Sequence, residues 1–133
     1  MAQGTTVVLI PQTAYPGPPG TEAAYVGQKE QAAAYYLANR DLQTISWNLG
    51  QVPQPQNQMS NPIFIGEIFI QASIATNPVT DNDWFEVFQL DTTPNPNNNV
   101  QQGYYNLKGN YVWLRAVVRV WTQGAISLVA ASY

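Results

Sequence analysis

Apolar and polar positions alternate with a period of two along most of this chain, the spacing that puts successive side chains on opposite faces of a β-strand. In QTISWNL, Gln43 to Leu49, the residues Ile45, Trp47 and Leu49 share one face, opposite Thr44, Ser46 and Asn48. DWFEVFQLD sets Trp84, Glu86, Phe88 and Leu90 against Phe85, Val87 and Gln89. TTVVLI, Thr5 to Ile10, is a β-branched run stopped by Pro11, and AISLVAAS closes the chain with Ile126, Leu128 and Ala130 on one side. Ile63 to Ala75 is the longest apolar run, and its β-branched and aromatic content favours a strand over a helix. Gly66 inside it predicts a bulge or a close backbone approach.

The most informative alternation is YVWLRAVVRVW, Tyr111 to Trp121. One face reads Val112, Leu114, Ala116, Val118 and Val120, which is a core face. The other reads Tyr111, Trp113, Arg115, Val117, Arg119 and Trp121. At this spacing Trp113 and Arg115 are expected to stack, and Arg119 with Trp121, since a guanidinium over an indole is a favourable contact. Trp, Tyr and Arg are also enriched where proteins bind one another. Three readings of the row stay open: cover by another part of the same chain, a subunit or scaffold interface, and a platform on which sugar rings stack.

Breakers divide the strands. Gln12 to Gly27 holds three prolines among glycines and reads as a loop or extended arm. Gln28 to Asn39 is the one segment of helix-forming composition, with Ala32, Tyr35, Tyr36 and Asn39 on one side, though it lacks an N-cap. Pro/Gln/Asn loops follow near Pro53 and Pro94, TNPVTDND is a turn, and Gln123–Gly124 reads as a hairpin turn. Six or seven strands separated in this way predict an all-β fold, an antiparallel β-sandwich of jelly-roll or immunoglobulin-like kind. The expected organisation is an extended Pro/Gly-rich N-terminal arm, residues 1–27, and a sandwich domain, residues 28–133.

Composition narrows the function. The chain has 133 residues, enough for one domain with a real core. Only 10% are charged against a usual quarter, so the surface is mostly neutral and hydrogen-bonding, as suits a protein packed against neighbours. Five basic residues and a net charge of −3 argue against a nucleic-acid partner, whose phosphates require a larger basic footprint. No apolar run reaches the ~18 residues of a membrane span. The start, MAQGTTVVLIPQ, has no basic region ahead of its short apolar run and does not read as a signal peptide.

The chain contains no histidine and no cysteine, which removes the commonest general base and metal ligand and the strongest nucleophile. No cofactor motif is present. Of eight carboxylates, Glu67 and Glu86 are the only pair worth weighing as a glycosidase couple; the plainer reading has each facing solvent or answering Arg115 or Arg119. TDND, Thr80 to Asp83, clusters oxygens as calcium loops do, but an Asx turn ahead of the next strand explains it more simply. No catalytic, cofactor or metal site is therefore expected.

QTISWNL, IFIGEIFIQASIATNPVTDNDWFEV and YYNLKGNYVWLRAVVRVWTQGAISLVAAS together resemble the small β-sandwich structural proteins of tailed bacteriophages. The matching pieces are Ala72–Ser73, Pro78, Asp83–Trp84–Phe85, Gly109 to Ala116 and Gly124, within Gln43 to Ser132. Pro11–Gly27 lies outside the pattern. The resemblance implies a virion component without enzymatic activity, a capsid decoration or a neck or tail accessory protein. Its partners would be other virion proteins and its own copies, a trimer being the first oligomer to test. An arm could then add TTVVLI as a strand to a neighbour. The expected interface residues are Val7, Val8, Leu9 and Ile10 of the arm and Trp113, Arg115, Arg119 and Trp121 of the row. The alternative is a carbohydrate-binding module of a phage appendage, with exposed tryptophans beside amides such as Asn48 or Asn95 to Asn99.

Overall fold

β-Branched and aromatic residues at alternating positions drive the described residues into nine strands. The computed structural model describes residues 5–16, 21–35, 41–49, 63–93 and 101–133. The strands are β1 (Thr6–Ile10), β2 (Ala23–Val26), β3 (Glu30–Gln31), β4 (Leu42–Leu49), β5 (Ile65–Ser73), β6 (Phe85–Asp91), β7 (Gln102–Lys108), β8 (Trp113–Gln123) and β9 (Ile126–Ser132). A single turn of 3₁₀ helix, Asp81–Asp83, precedes β6.

Every strand pair is antiparallel, and the pairs nest: β1 with β9, β2 with β8, β4 with β7, and β5 with β6. The chain behaves as one long hairpin, bent back at Ile74 to Trp84 and rolled up so that successive pairs fall in alternate sheets. One sheet has the order β1-β9-β4-β7 and the other β2-β8-β5-β6, with β3 also on β8. This is the jelly-roll arrangement of a β-sandwich.

The roll explains the correction at Gln123–Gly124. It is not a hairpin turn, because β8 and β9 lie in opposite sheets and do not pair. Gly124, at φ +82°, carries the chain across between layers; a Cβ there would sit 2.5 Å from Phe64 Cα and 2.6 Å from Phe64 N. A left-handed backbone pressed against another backbone is a place for glycine.

The core between the sheets contains Leu9, Ile10, Ile45, Leu49, Phe64, Ile68, Ile70, Leu114, Val118, Trp121, Ile126 and Val129. Buried polar groups close its rim. Gln43 accepts the Ala33 N–H and donates to the Leu107 carbonyl; Gln101 accepts the Phe64 N–H and donates to the Phe64 carbonyl. Among the described residues no buried side-chain nitrogen or oxygen lacks a partner. Such groups replace ladder bonds lost where strands end.

Two further expectations change. Gln28 to Tyr35 is not helical: Glu30 and Gln31 pair with Leu114 and Trp113, and the Ala32 and Ala34 N–H groups donate to the Val112 and Tyr111 carbonyls. Without an N-cap, the open edge of β8 offers these donors better partners than a helix would. Tyr36 and Asn39 lie outside the described residues, as do the loop prolines Pro53 and Pro94. The stretch 1–27 also does not stand apart. Within its described residues, β1 joins one sheet and β2 the other, so these strands complete the sandwich that residues 28–133 were expected to form alone.

Candidate interaction faces

Arginine and tryptophan set the outer face of the β2-β8-β5-β6 sheet, but not as a single row. Val120 takes φ +54°, a conformation rare for a β-branched residue, and β8 bulges there against both neighbours. Opposite the bulge lies Gly66, where a Cβ would come within 3.2 Å of Trp121 Cα. The irregularity, one extra residue against β2 and two against β5, reverses the alternation at Trp121. Trp121, expected outside, is 0% exposed: its ring packs on Phe64 and Tyr15, and its N–H donates to the Gly124 and Gln123 carbonyls at 2.8 and 3.1 Å. The expected stack of Arg119 on Trp121 does not form.

The remaining row finds its partners across the ladder rather than along the strand, because cross-strand side chains are closer than those two residues apart. Arg115 lies 4.5 Å over the Trp84 ring, Arg119 4.6 Å over Phe69, and Lys29 4.7 Å over Trp113. Arg115 Nε donates to Gln71 Oε1 at 2.7 Å, and its side chain is only 16% exposed. Trp113 donates to the Thr76 carbonyl and meets Tyr35 edge-on. Each contact adds on the order of 0.5–1 kcal/mol at such partly exposed positions. Trp113, Arg115 and Arg119 are therefore seated within their own sheet.

The carboxylates join the same face. Glu86 pairs with Arg119 at 3.0 Å, and Glu67 accepts from Gln89 at 3.3 Å. Asp81 meets Arg115 at 3.4 Å. Asp83 turns inward on its own loop, accepting the N–H groups of Val79 and Thr80. These backbone donors hold its carboxyl below the ordinary 3.8. TDND thus forms a capped turn, and the described residues contain no cluster of three metal-ligating side chains. A shallow depression of about 310 Å³ lies between Arg115 and Arg119, floored by Val117, Val26 and Ala24.

The opposite outer face, on β1-β9-β4-β7, differs sharply. Register brings three rows to it: Thr6, Ser132, Thr44 and Asn106; Val8, Ala130, Ser46 and Tyr104; and Leu128, Asn48 and Gln102. The hydroxyls and amides bond to each other across the strands, Thr6 with Ser132 at 3.0 Å, Thr44 to Asn106 at 2.9 Å and Gln102 to Asn48 at 3.3 Å. Val8, Leu42, Tyr104 and Leu128 stand exposed between them. Among the described residues of these strands, Lys108 is the single charge.

The arm residues belong to this sheet. Val7 and Val8 pair with Ala131 and Ala130, and a bulge then turns both Leu9 and Ile10 into the core at 1% and 0% exposure. The strand expected to join a neighbour is paired within its own chain, and Val8 alone of the four presents an exposed side chain. The uncharged face was missed by sequence reasoning, although the even positions of Leu42 to Asn48 and of Gln102 to Lys108 carry its signal. Comparisons with protein-family models, with curated proteins and with solved structures find no match.

Proposed function

We propose that this protein is a non-enzymatic structural component of a tailed-bacteriophage virion, a capsid decoration or a neck or tail accessory. It lies repetitively against the particle through the outer face of its β1-β9-β4-β7 sheet. The observation that carries this reading is the difference between the two faces. Lys29, Arg115, Arg119, Glu67, Glu86 and Asp91 collect on or beside one, whereas the described strand residues of the other hold Lys108 alone, with Asp41 just ahead of β4.

Burying charge is costly, whereas hydroxyls and amides already bonded to each other leave little to desolvate. The uncharged face therefore suits burial against a partner, and the charged face suits water. The jelly roll supports the reading by analogy, as viral capsid domains use it. The sequence resemblance supports the virion setting.

Lysine placed on each face tests it. Leu128→Lys on the uncharged face should fold normally and fail to enter particles. Val26→Lys, at a residue 58% exposed on the charged face, should enter them as the native protein does. Equal incorporation of both variants would overturn the docking face.

One observation favours a second reading, sugar binding. Tyr104 is 70% exposed and sits on the same face as the amides Asn48, Gln102 and Asn106. The row tryptophans expected for that role are engaged elsewhere, Trp121 in the core and Trp113 with the Thr76 carbonyl, Tyr35 and Lys29. Binding on a glycan panel that is lost in Tyr104→Ala would support sugar recognition.

A further inference from the structure

Each sheet has two outer edges, and natural sheets guard such edges against pairing with other chains. β1 is guarded by its bulge and by Pro11. β2 has four residues and β3 two. β6 bulges against β5 and carries Glu86 and Asp91. β7 is the least guarded: its seven residues, Gln102 to Lys108, pair with β4 at every position without a shift, they include neither proline nor carboxylate, and their one charge, Lys108, stands at the strand's end. Among the described residues, no strand pairs with its other edge.

The direction of its main-chain groups follows from the ladder. Leu49 N–H donates to the Gln101 carbonyl and Gly109 N–H to the Asp41 carbonyl, so odd-numbered residues of β7 exchange bonds with β4. The N–H and C=O groups of Gln102, Tyr104, Asn106 and Lys108 point away, to the open edge.

We infer that β7 pairs antiparallel with β7 of a second copy, about a two-fold axis at Tyr105. Even residues must meet even residues, and the register that overlaps all seven sets Tyr104 against Asn106 and Gln102 against Lys108. It forms about eight main-chain hydrogen bonds. The charge pattern agrees, since each lysine faces a glutamine and the two lysines stand about 20 Å apart.

Tyr105 supplies the side-chain contact. It is 43% exposed although it points to the inner side of its sheet, where its ring stacks on Phe88 at 4.4 Å and Phe88 stacks on Trp47. At the axis, Tyr105 of one copy meets Tyr105 of the other in a non-hydrogen-bonded pair, the closer type of cross-strand neighbour. The aromatic stack then runs through both copies, and the two uncharged faces join as one eight-stranded platform. A two-fold edge closes on itself and yields a dimer rather than a trimer. The pairing is independent of the particle reading, because it needs only the purified chain.

The test exploits the absence of cysteine from the native sequence. Tyr105→Cys places two thiols across the axis at a separation a disulfide spans, whereas Tyr104→Cys faces Asn106. Under mild oxidation Tyr105→Cys should form covalent dimers at least about tenfold faster than Tyr104→Cys, since pairing raises the effective concentration at one site only. Sedimentation of the native chain should show a monomer–dimer equilibrium between micromolar and millimolar concentration. Tyr104→Pro removes an outward N–H that β4 does not use, so it should keep the native circular dichroism and lose the dimer. A native chain that stays monomeric at millimolar concentration would overturn the inference, as would equal cross-linking rates of the two cysteine variants.

Discussion

Replacing Trp121 by alanine tests the bulge that divides the arginine–tryptophan row. The indole is fully buried between Phe64 and Tyr15, and its N–H satisfies the Gly124 carbonyl at 2.8 Å. Truncating such a side chain costs about 3–5 kcal/mol in lost contacts and cavity. A domain of this size has about 5–15 kcal/mol in all, so the variant should be close to marginal. At roughly 3–4 °C per kcal/mol, the melting temperature should fall by about 10–20 °C. Trp121→Phe keeps most of the apolar volume but leaves the carbonyl unpaired, an intermediate loss of about 1–3 kcal/mol. Trp113→Ala, at a partly exposed position beneath Lys29 and Tyr35, should cost less than Trp121→Ala. Urea unfolding followed by circular dichroism measures all three. If Trp121→Ala lies within about 1 kcal/mol of the native protein, or costs no more than Trp113→Ala, the indole is not in the core and the bulge argument fails.

Arg115→Ala removes a guanidinium stacked on Trp84 and leaves buried Gln71 without its partner, so chemical denaturation should show a loss of about 1.5–3 kcal/mol. Gly124→Ala should be among the most damaging single-methyl changes, with left-handed strain of about 1–3 kcal/mol added to a clash with Phe64 main chain; a melting temperature unchanged from native would refute the corner. The carboxyl of Asp83 is held below the ordinary 3.8 by the N–H groups of Thr80 and Val79. Because its folded value is the lower one, its stabilisation is complete above 3.8 and disappears as pH falls through the folded value. Asp83→Asn should therefore melt below the native protein at neutral pH and match it in strong acid; a gap that persists in acid would contradict this origin.

The sandwich was legible because β-branched and aromatic stretches leave little choice of element: β4 and β8 keep period two over Gln43 to Leu49 and Trp113 to Arg119, and β5 is the apolar run within Ile63 to Ala75. What sequence could not show was how pairs alternate between sheets. Gln123–Gly124 has the residues of a hairpin turn, yet the roll sends β9 to the other layer. The site suffered from the same non-local causes. A strict alternation placed Trp121 beside Arg119, and the bulge at Val120 reversed it. Pro/Gly content made residues 1–27 look detachable, although β1 and β2 fill edges that only the folded sheets create. The uncharged face emerges only when β9 and β4 bring Ser132, Thr44 and Asn106 into one row. No single strand carries enough of it to be noticed.

The measurement that bears most directly on the proposed function is the number of copies of this chain per purified phage particle, by quantitative mass spectrometry against the major capsid protein. A structural subunit that docks repetitively should be present in a fixed, symmetry-related number, hundreds for a decoration of the head and a dozen or a few dozen for a neck or tail position. Particles that contain none of it would contradict the virion role and leave sugar recognition at Tyr104 as the reading to pursue.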